Sequence, residues 1–251
     1  MKFDDIKKLH QRKYREQFGY FLLEGEHLVL ELQKCLVQRT QALHFDAQAV
    51  SLFVTQERLA WAQQKLPSFA PELVSQKQMT QLSDTKTPQG VVACLPLLNQ
   101  HVRTQNIQNE VCFYLHEVQD PGNLGSIIRS LAWFGKFRLL LSSNSVDPYN
   151  AKVLRASMGG IFHVPLERDV SLQSLQARFG KFAYLDLTGS SINKSDFAEY
   201  PCYLFGNEAR GVPDEALENL NAQAYSISGK GNIESLNLAT AASICAYRLS
   251  V

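Results

Sequence analysis

Three short segments combine residue types that could do chemistry. The first runs Asp120-Pro121-Gly122-Asn123-Leu124-Gly125-Ser126-Ile127-Ile128-Arg129. Small, turn-prone residues let a backbone approach a ligand, and a helix opening there offers free N–H groups to an anion. Asn123 and Arg129 are the polar groups of this otherwise apolar stretch. The second, Leu204-Phe205-Gly206-Asn207-Glu208-Ala209-Arg210-Gly211-Val212-Pro213, sets a carboxylate just past an apolar run and closes on glycine and proline. The third follows Ile227 as Ser228-Gly229-Lys230-Gly231-Asn232-Ile233-Glu234-Ser235-Leu236-Asn237 and leads into the small residues Ala239 to Ser243. There Ser235 is a candidate helix cap. Each segment alone reads equally well as a capped helix start or a plain connector.

The elements around these segments must place them together. Strands are expected at Tyr20–Leu23, Ala42–Phe45, Leu52–Val54, Leu73–Val74 and Val91–Leu95. Helices are expected at Lys7–Gln17, Gly25–Gln38 and Gln56–Lys65. An amide-rich stretch without periodicity, residues 99–110, then reads as a linker. Beyond it strands are expected at Val111–Val118, Phe137–Leu141, Ile161–Pro165, Phe182–Leu187, Tyr203–Phe205 and Ala224–Ile227. Helices follow most of them, at Leu124–Phe134, Asn150–Ser157, Leu172–Phe179, Asp214–Leu220 and Ser235–Leu249. Alternating strand and helix implies an α/β fold with a mostly parallel sheet. Ligands then bind beyond the carboxyl ends of the strands, where all three segments fall.

Composition narrows the class. The 251 residues are 45% apolar and 20% charged, ordinary globular values, with a formal charge of only +1. Any nucleic-acid affinity therefore needs a local basic patch. Residues 1–15 offer one, with Lys2, Lys7, Lys8, Arg12, Lys13 and Arg15 against Asp4 and Asp5. No run approaches the ~18 apolar residues of a membrane helix, and the N-terminus does not read as a secretory signal. The five cysteines are scattered, which argues against a disulfide framework or a zinc site. A cytoplasmic chain without metal is the expectation.

Together, the three segments resemble the motifs of SpoU-type, or TrmH-like, RNA ribose 2′-O-methyltransferases of the SPOUT class. N-x-G-x-x-x-R falls at Asn123, Gly125 and Arg129. G-x-E-x-x-G falls at Gly206, Glu208 and Gly211, and S-L-N at Ser235, Leu236 and Asn237. Arg155-Ala156-Ser157-Met158-Gly159 is similar to an intermediate segment of that family. Asn207 and Ser228 depart from its commonest residues. Lys13-Tyr14-Arg15, Phe21-Leu22-Leu23-Glu24-Gly25 and Thr87-Pro88-Gln89-Gly90 resemble the substrate-binding domain attached to many rRNA-directed members.

The resemblance implies an RNA-binding domain of L30e-like fold at 1–98, a linker at 99–110, and a SPOUT methyltransferase domain at 111–251 with a deep trefoil knot. It implies S-adenosylmethionine as cofactor, cupped by Gly206, Ile227 and Leu236, and a homodimer formed through the catalytic domain. Asn123, Arg129, Glu208, Ser235 and Asn237 become the catalytic set, with rRNA the expected substrate and tRNA the alternative. A catalytically idle RNA-binding protein would not need those five. A nicotinamide oxidoreductase would want G-x-G-x-x-G after an early strand, and Gly122 to Gly125 supplies only G-x-x-G.

Overall fold

The computed structural model describes residues 1–38, 45–98, 110–212, 214–218 and 220–251. The linker expected at 99–110 lies outside them at 99–109, as does the strand expected at Ala42–Phe45 over 42–44; Phe45 itself is not in a strand. By packing, the chain forms two compact units, Met1–Asn99 with Asp147–His163, and Gln100–Val146 with Val164–Val251. The segment 147–163, which includes Arg155-Ala156-Ser157, is therefore built into the first unit.

The first unit carries helices α1 (Phe3–Ile6), α2 (Arg12–Phe18), α3 (Glu26–Val37), α4 (Leu59–Lys65) and α5 (Gln76–Leu82). Its four strands are β1 (Tyr20–Glu24), β2 (Ser51–Val54), β3 (Pro71–Leu73) and β4 (Val91–Pro96), in the mixed order β1-β4-β2-β3. The single helix expected at Lys7–Gln17 is broken, because Gln11 is extended between a 3₁₀ turn and α2. Helix α5 was not foreseen, although Ser75 and Gln78 form a full capping box at its start.

Arg15 does not belong to the basic surface. The residue is 5% exposed, with Nε 2.8 Å from the Asp147 carboxylate and Nη1 donating to the carbonyls of Leu9 and His10. Removing either partner would strand a buried charge, so this pair fixes 147–163 within its unit. Tyr149, Val153, Leu154, Ile161 and Phe162 are buried as well. Cutting the chain near residue 110 would strip them of their partners, so residues 110–251 do not stand as a separate body. Three of the remaining N-terminal cations already hold carboxylates, Lys7 with Asp4, Lys8 with Asp5 and Arg12 with Glu16.

The second unit holds β5 (Val111–Leu115), β6 (Phe137–Leu141), β7 (Leu166–Glu167), β8 (Phe182–Ser191), β9 (Cys202–Phe205) and β10 (Ala222–Ser226). They form one parallel sheet in the order β10-β8-β9-β5-β6-β7. Its helices are α6 (Pro121–Phe134), α8 (Leu172–Phe179), α9 (Asp214–Leu217) and α10 (Leu238–Ser250), while α7 (Ala151–Ser157) lies in the first unit. The strand expected at Ile161–Pro165 is instead a 3₁₀ turn at Gly160–Phe162, with β7 starting at Leu166. A short buried apolar run fits either geometry, and the left-handed Gly159 selects the turn. Helices α6 and α10 pack together, tied by a 2.7 Å bond between the Ser130 and Ser243 hydroxyls.

All five cysteines are free and buried. Burial pushes the Cys94, Cys112 and Cys245 thiols up to about 12, which makes them inert hydrophobes rather than nucleophiles.

Candidate functional site

The loops after β5, β9 and β10 meet at the carboxyl ends of the parallel strands. Asp120 caps α6, its carboxylate accepting the Asn123 N–H at 2.7 Å, and Pro121 occupies the first helical position. The helix therefore begins three residues earlier than the pattern of apolar residues suggests. That start sets Asn123 on the first turn, with its side chain free to bridge the other two loops.

The bridge is continuous. Asn123 Nδ2 donates to Glu208 Oε1 at 3.1 Å, and Asn237 Nδ2 donates to Asn123 Oδ1 at 2.8 Å. Glu208 also lies 3.4–3.5 Å from the N–H groups of Gln119 and Asp120, against the positive end of α6. The carboxylate is thus an acceptor held by one amide, whose carbonyl is in turn fixed by a second amide.

Asn237, rather than Ser235, caps the C-terminal helix. Its Oδ1 accepts from Ala239 and Thr240, and α10 begins at Leu238. Asn237→Ala is expected to cost about 1 kcal/mol of stability in urea unfolding, the usual value of a lost cap. Asn237→Asp keeps a cap acceptor but has no amide to donate to Asn123. That variant should unfold close to wild type, which separates the helix cap from the bridge.

A cleft of about 390 Å³ opens beside this bridge. Asn123, Gly206, Glu208, Ser235, Leu236 and Asn237 line it, with apolar wall from Leu185 and Phe205. Its size and mixed lining suit a small cofactor. Six of the eight residues singled out from sequence thus come together. Ile227 is half-buried just past β10 and is not part of the lining. Arg129, two turns along α6 from Asn123, is exposed and is not part of it either. Its guanidinium makes no ion pair among the described residues.

Gly206 is demanded by the loop's own geometry. A Cβ there would lie 2.5 Å from the Gly211 carbonyl carbon, because Asn207 and Gly211 pair as a bridge that folds the loop onto itself. Gly211, at φ +65°, occupies the left-handed region that the reversal requires.

A second layer of contacts was not legible in the sequence. Asn207 is buried, its Nδ2 donating to the Glu117 carbonyl at 2.8 Å and its Oδ1 accepting from the Ala209 and Arg210 N–H groups. Glu117 (φ +51°) and Asn144 (φ +67°) are both left-handed non-glycines, a conformation that costs on the order of 1 kcal/mol each. Gln119 Nε2 donates to both of their carbonyls, and Ser142 Oγ accepts the Glu117 N–H. Leu185 reaches the cleft from the β8 stretch where pairing with β10 skips from Tyr184 to Ser190. No pattern of apolar residues announces such a skip.

Comparison with known proteins follows this architecture. Residues 110–247 match the model of the SpoU rRNA Methylase family, and residues 2–93 match the MRM3-like substrate binding domain. The chain is 30% identical to the Bacillus subtilis 23S rRNA (guanosine(2553)-2′-O)-methyltransferase RlmP, over 99% of this chain and 95% of that one. It is similar to the AdoMet-bound rRNA methyltransferase from Sinorhizobium meliloti, with a TM-score of 0.76, 25% identity, and coverage of 98% and 93%. The SpoU methyltransferase AviRb from Streptomyces viridochromogenes, solved with AdoMet, shares the fold at a TM-score of 0.80 and 24% identity, over 99% and 96%.

Proposed function

The chain belongs to the SpoU rRNA methylase family, and from that membership we propose that it transfers a methyl group from S-adenosylmethionine to a ribose 2′-hydroxyl of ribosomal RNA. The observation that carries the reading is the Glu208–Asn123–Asn237 bridge, which draws three loops of the parallel sheet to one cleft. The similar Bacillus subtilis protein is a 23S rRNA 2′-O-methyltransferase, and the Sinorhizobium meliloti one is bound to AdoMet. The reaction is assigned to the cytoplasm on the strength of the bacterial rRNA methyltransferase that the chain is similar to.

S-adenosylmethionine, when bound, supplies an electrophilic methyl group on a sulfonium. The cleft's walls fit it, with apolar surface from Leu185, Phe205 and Leu236, and backbone brought close at Gly206. Gly206 and Leu236 would hold the adenosine portion, with Ser235 completing the rim, and Ile227 would join them only from outside the present lining, just past β10. Glu208 and Asn123 keep the β5 and β9 loops in register, which would hold an acceptor ribose aligned with the cleft. Arg129 would direct the ribose and stabilise the oxyanion that develops as the hydroxyl proton passes to solvent water.

The catalytic unit acts as a homodimer whose chain threads a trefoil knot. The exposed Trp133 (84%) and Tyr247 (57%), near the ends of the paired helices α6 and α10, support a covered face. A strictly monomeric mass at micromolar concentration would refute the dimer. The threading is carried over from membership of the family; the close approach of Gly189 to Tyr225 belongs to the β8–β10 pairing. An unthreaded experimental chain trace would refute it.

The reaction is tested by mapping 2′-O-methyl groups in rRNA from cells lacking the protein. A discrete site should vanish and return with the wild-type gene. An unchanged map would overturn the proposal.

A further inference from the structure

The second loop carries a guanidinium on a constrained support that the reading above does not use. Arg210 Nη2 donates to Glu117 Oε2 at 2.8 Å, while the Arg210 side chain remains 70% exposed. The backbone beneath is locked to the same residue. Asn207 holds the Arg210 N–H through Oδ1 and the Glu117 carbonyl through Nδ2. Glu117 itself is left-handed and pinned by Ser142. Side chain and main chain therefore fix Arg210 to Glu117 at two levels.

An exposed ion pair adds little to stability, so stability does not explain a strained residue held in place beneath one. Strain of this kind collects at functional sites. The loop that presents Arg210 also presents Glu208, two residues earlier, to Asn123. Glu117 draws the guanidinium to itself. The remaining donors make no bond among the described residues.

We propose that Arg210 is a substrate-positioning residue that grips a backbone phosphate beside the target ribose, with Glu117 setting its direction. The inference rests on the RNA methyltransferase reading. The planar fork of arginine matches phosphate oxygens two at a time, which a point charge does not. The chain's net charge of +1 supplies no general attraction for RNA, so local cations at the cleft must hold the strand in register.

The test uses the full chain and unmodified, in-vitro-transcribed ribosomal RNA of both subunits. Arg210→Ala should weaken RNA binding about tenfold and reduce the slope of log affinity against log salt by about one. Its single-turnover rate at saturating RNA should fall as the ribose loses its register, while its S-adenosylmethionine affinity should stay within about twofold of wild type. Arg210→Lys should recover the salt slope and only part of the affinity. Unchanged RNA affinity and slope in Arg210→Ala would overturn the assignment, as would loss of cofactor binding, which marks a merely structural residue. A wild-type chain that neither binds nor methylates this RNA overturns the proposed function instead.

Discussion

Arg129→Ala is expected to lower single-turnover methyl transfer by about 10²–10³-fold, the cost of removing one group that stabilises developing negative charge. Cofactor affinity should hold, because Arg129 lies outside the cleft lining. Two roles account for such a loss and predict different behaviour in Arg129→Lys. As a general base, arginine must first shed a proton that it normally keeps above pH 12. Bringing that to neutrality costs roughly 8 kcal/mol at 1.36 kcal/mol per pH unit. Arg129 is exposed, and a guanidinium offers donors and no acceptor. An RNA phosphate nearby would favour the charged form further. The orienting role is therefore the expected one, and lysine should leave the enzyme nearly inactive at every pH. A lysine variant with substantial activity that climbs with pH would show that the residue removes the proton.

What could be read from the chain followed the reach of each signal. The parallel sheet was legible because Val111–Leu115, Phe137–Leu141 and Cys202–Phe205 are short apolar runs punctuated by turn residues. The bridge was legible as a set of motifs, since Asn123, Glu208 and Asn237 each sit in a recognisable segment. Their hydrogen bonds were not, because nothing local links Asn123 to Asn237, 114 residues away. The support beneath them was hidden for a different reason. Glu117, Gln119, Asn144 and Asn207 are ordinary polar residues, and their value lies in two left-handed backbones that only tertiary contacts sustain. Arg15 shows the opposite error. On the sequence it belongs to a basic run, and its buried partner Asp147 is 132 residues on.

Gly206 offers the sharpest separation between ligand access and loop geometry. A glycine beside a cofactor cleft invites the reading that a side chain would collide with the ligand. The structure adds an earlier constraint, because a Cβ would lie 2.5 Å from the Gly211 carbonyl carbon and 2.8 Å from its Cα. These are backbone atoms in a bridged loop, so neither can rotate away. Gly206→Ala must open the Asn207–Gly211 bridge, at a cost of about 2 kcal/mol, typical of overpacking. Opening it carries Glu208 off Asn123 and lifts Gly206 from the cleft wall. A loop that closes only at that cost should bind S-adenosylmethionine about 30-fold more weakly, at 1.4 kcal/mol per factor of ten. The decisive measurement is made without cofactor. If loop geometry governs, the ligand-free variant already unfolds at lower temperature and loses hydrogen-exchange protection at the Asn207 and Gly211 N–H groups. If ligand access governs, the ligand-free protein matches wild type and only cofactor affinity falls. An unaltered melting temperature together with weakened binding would return Gly206 to the role of a simple clearance for the ligand.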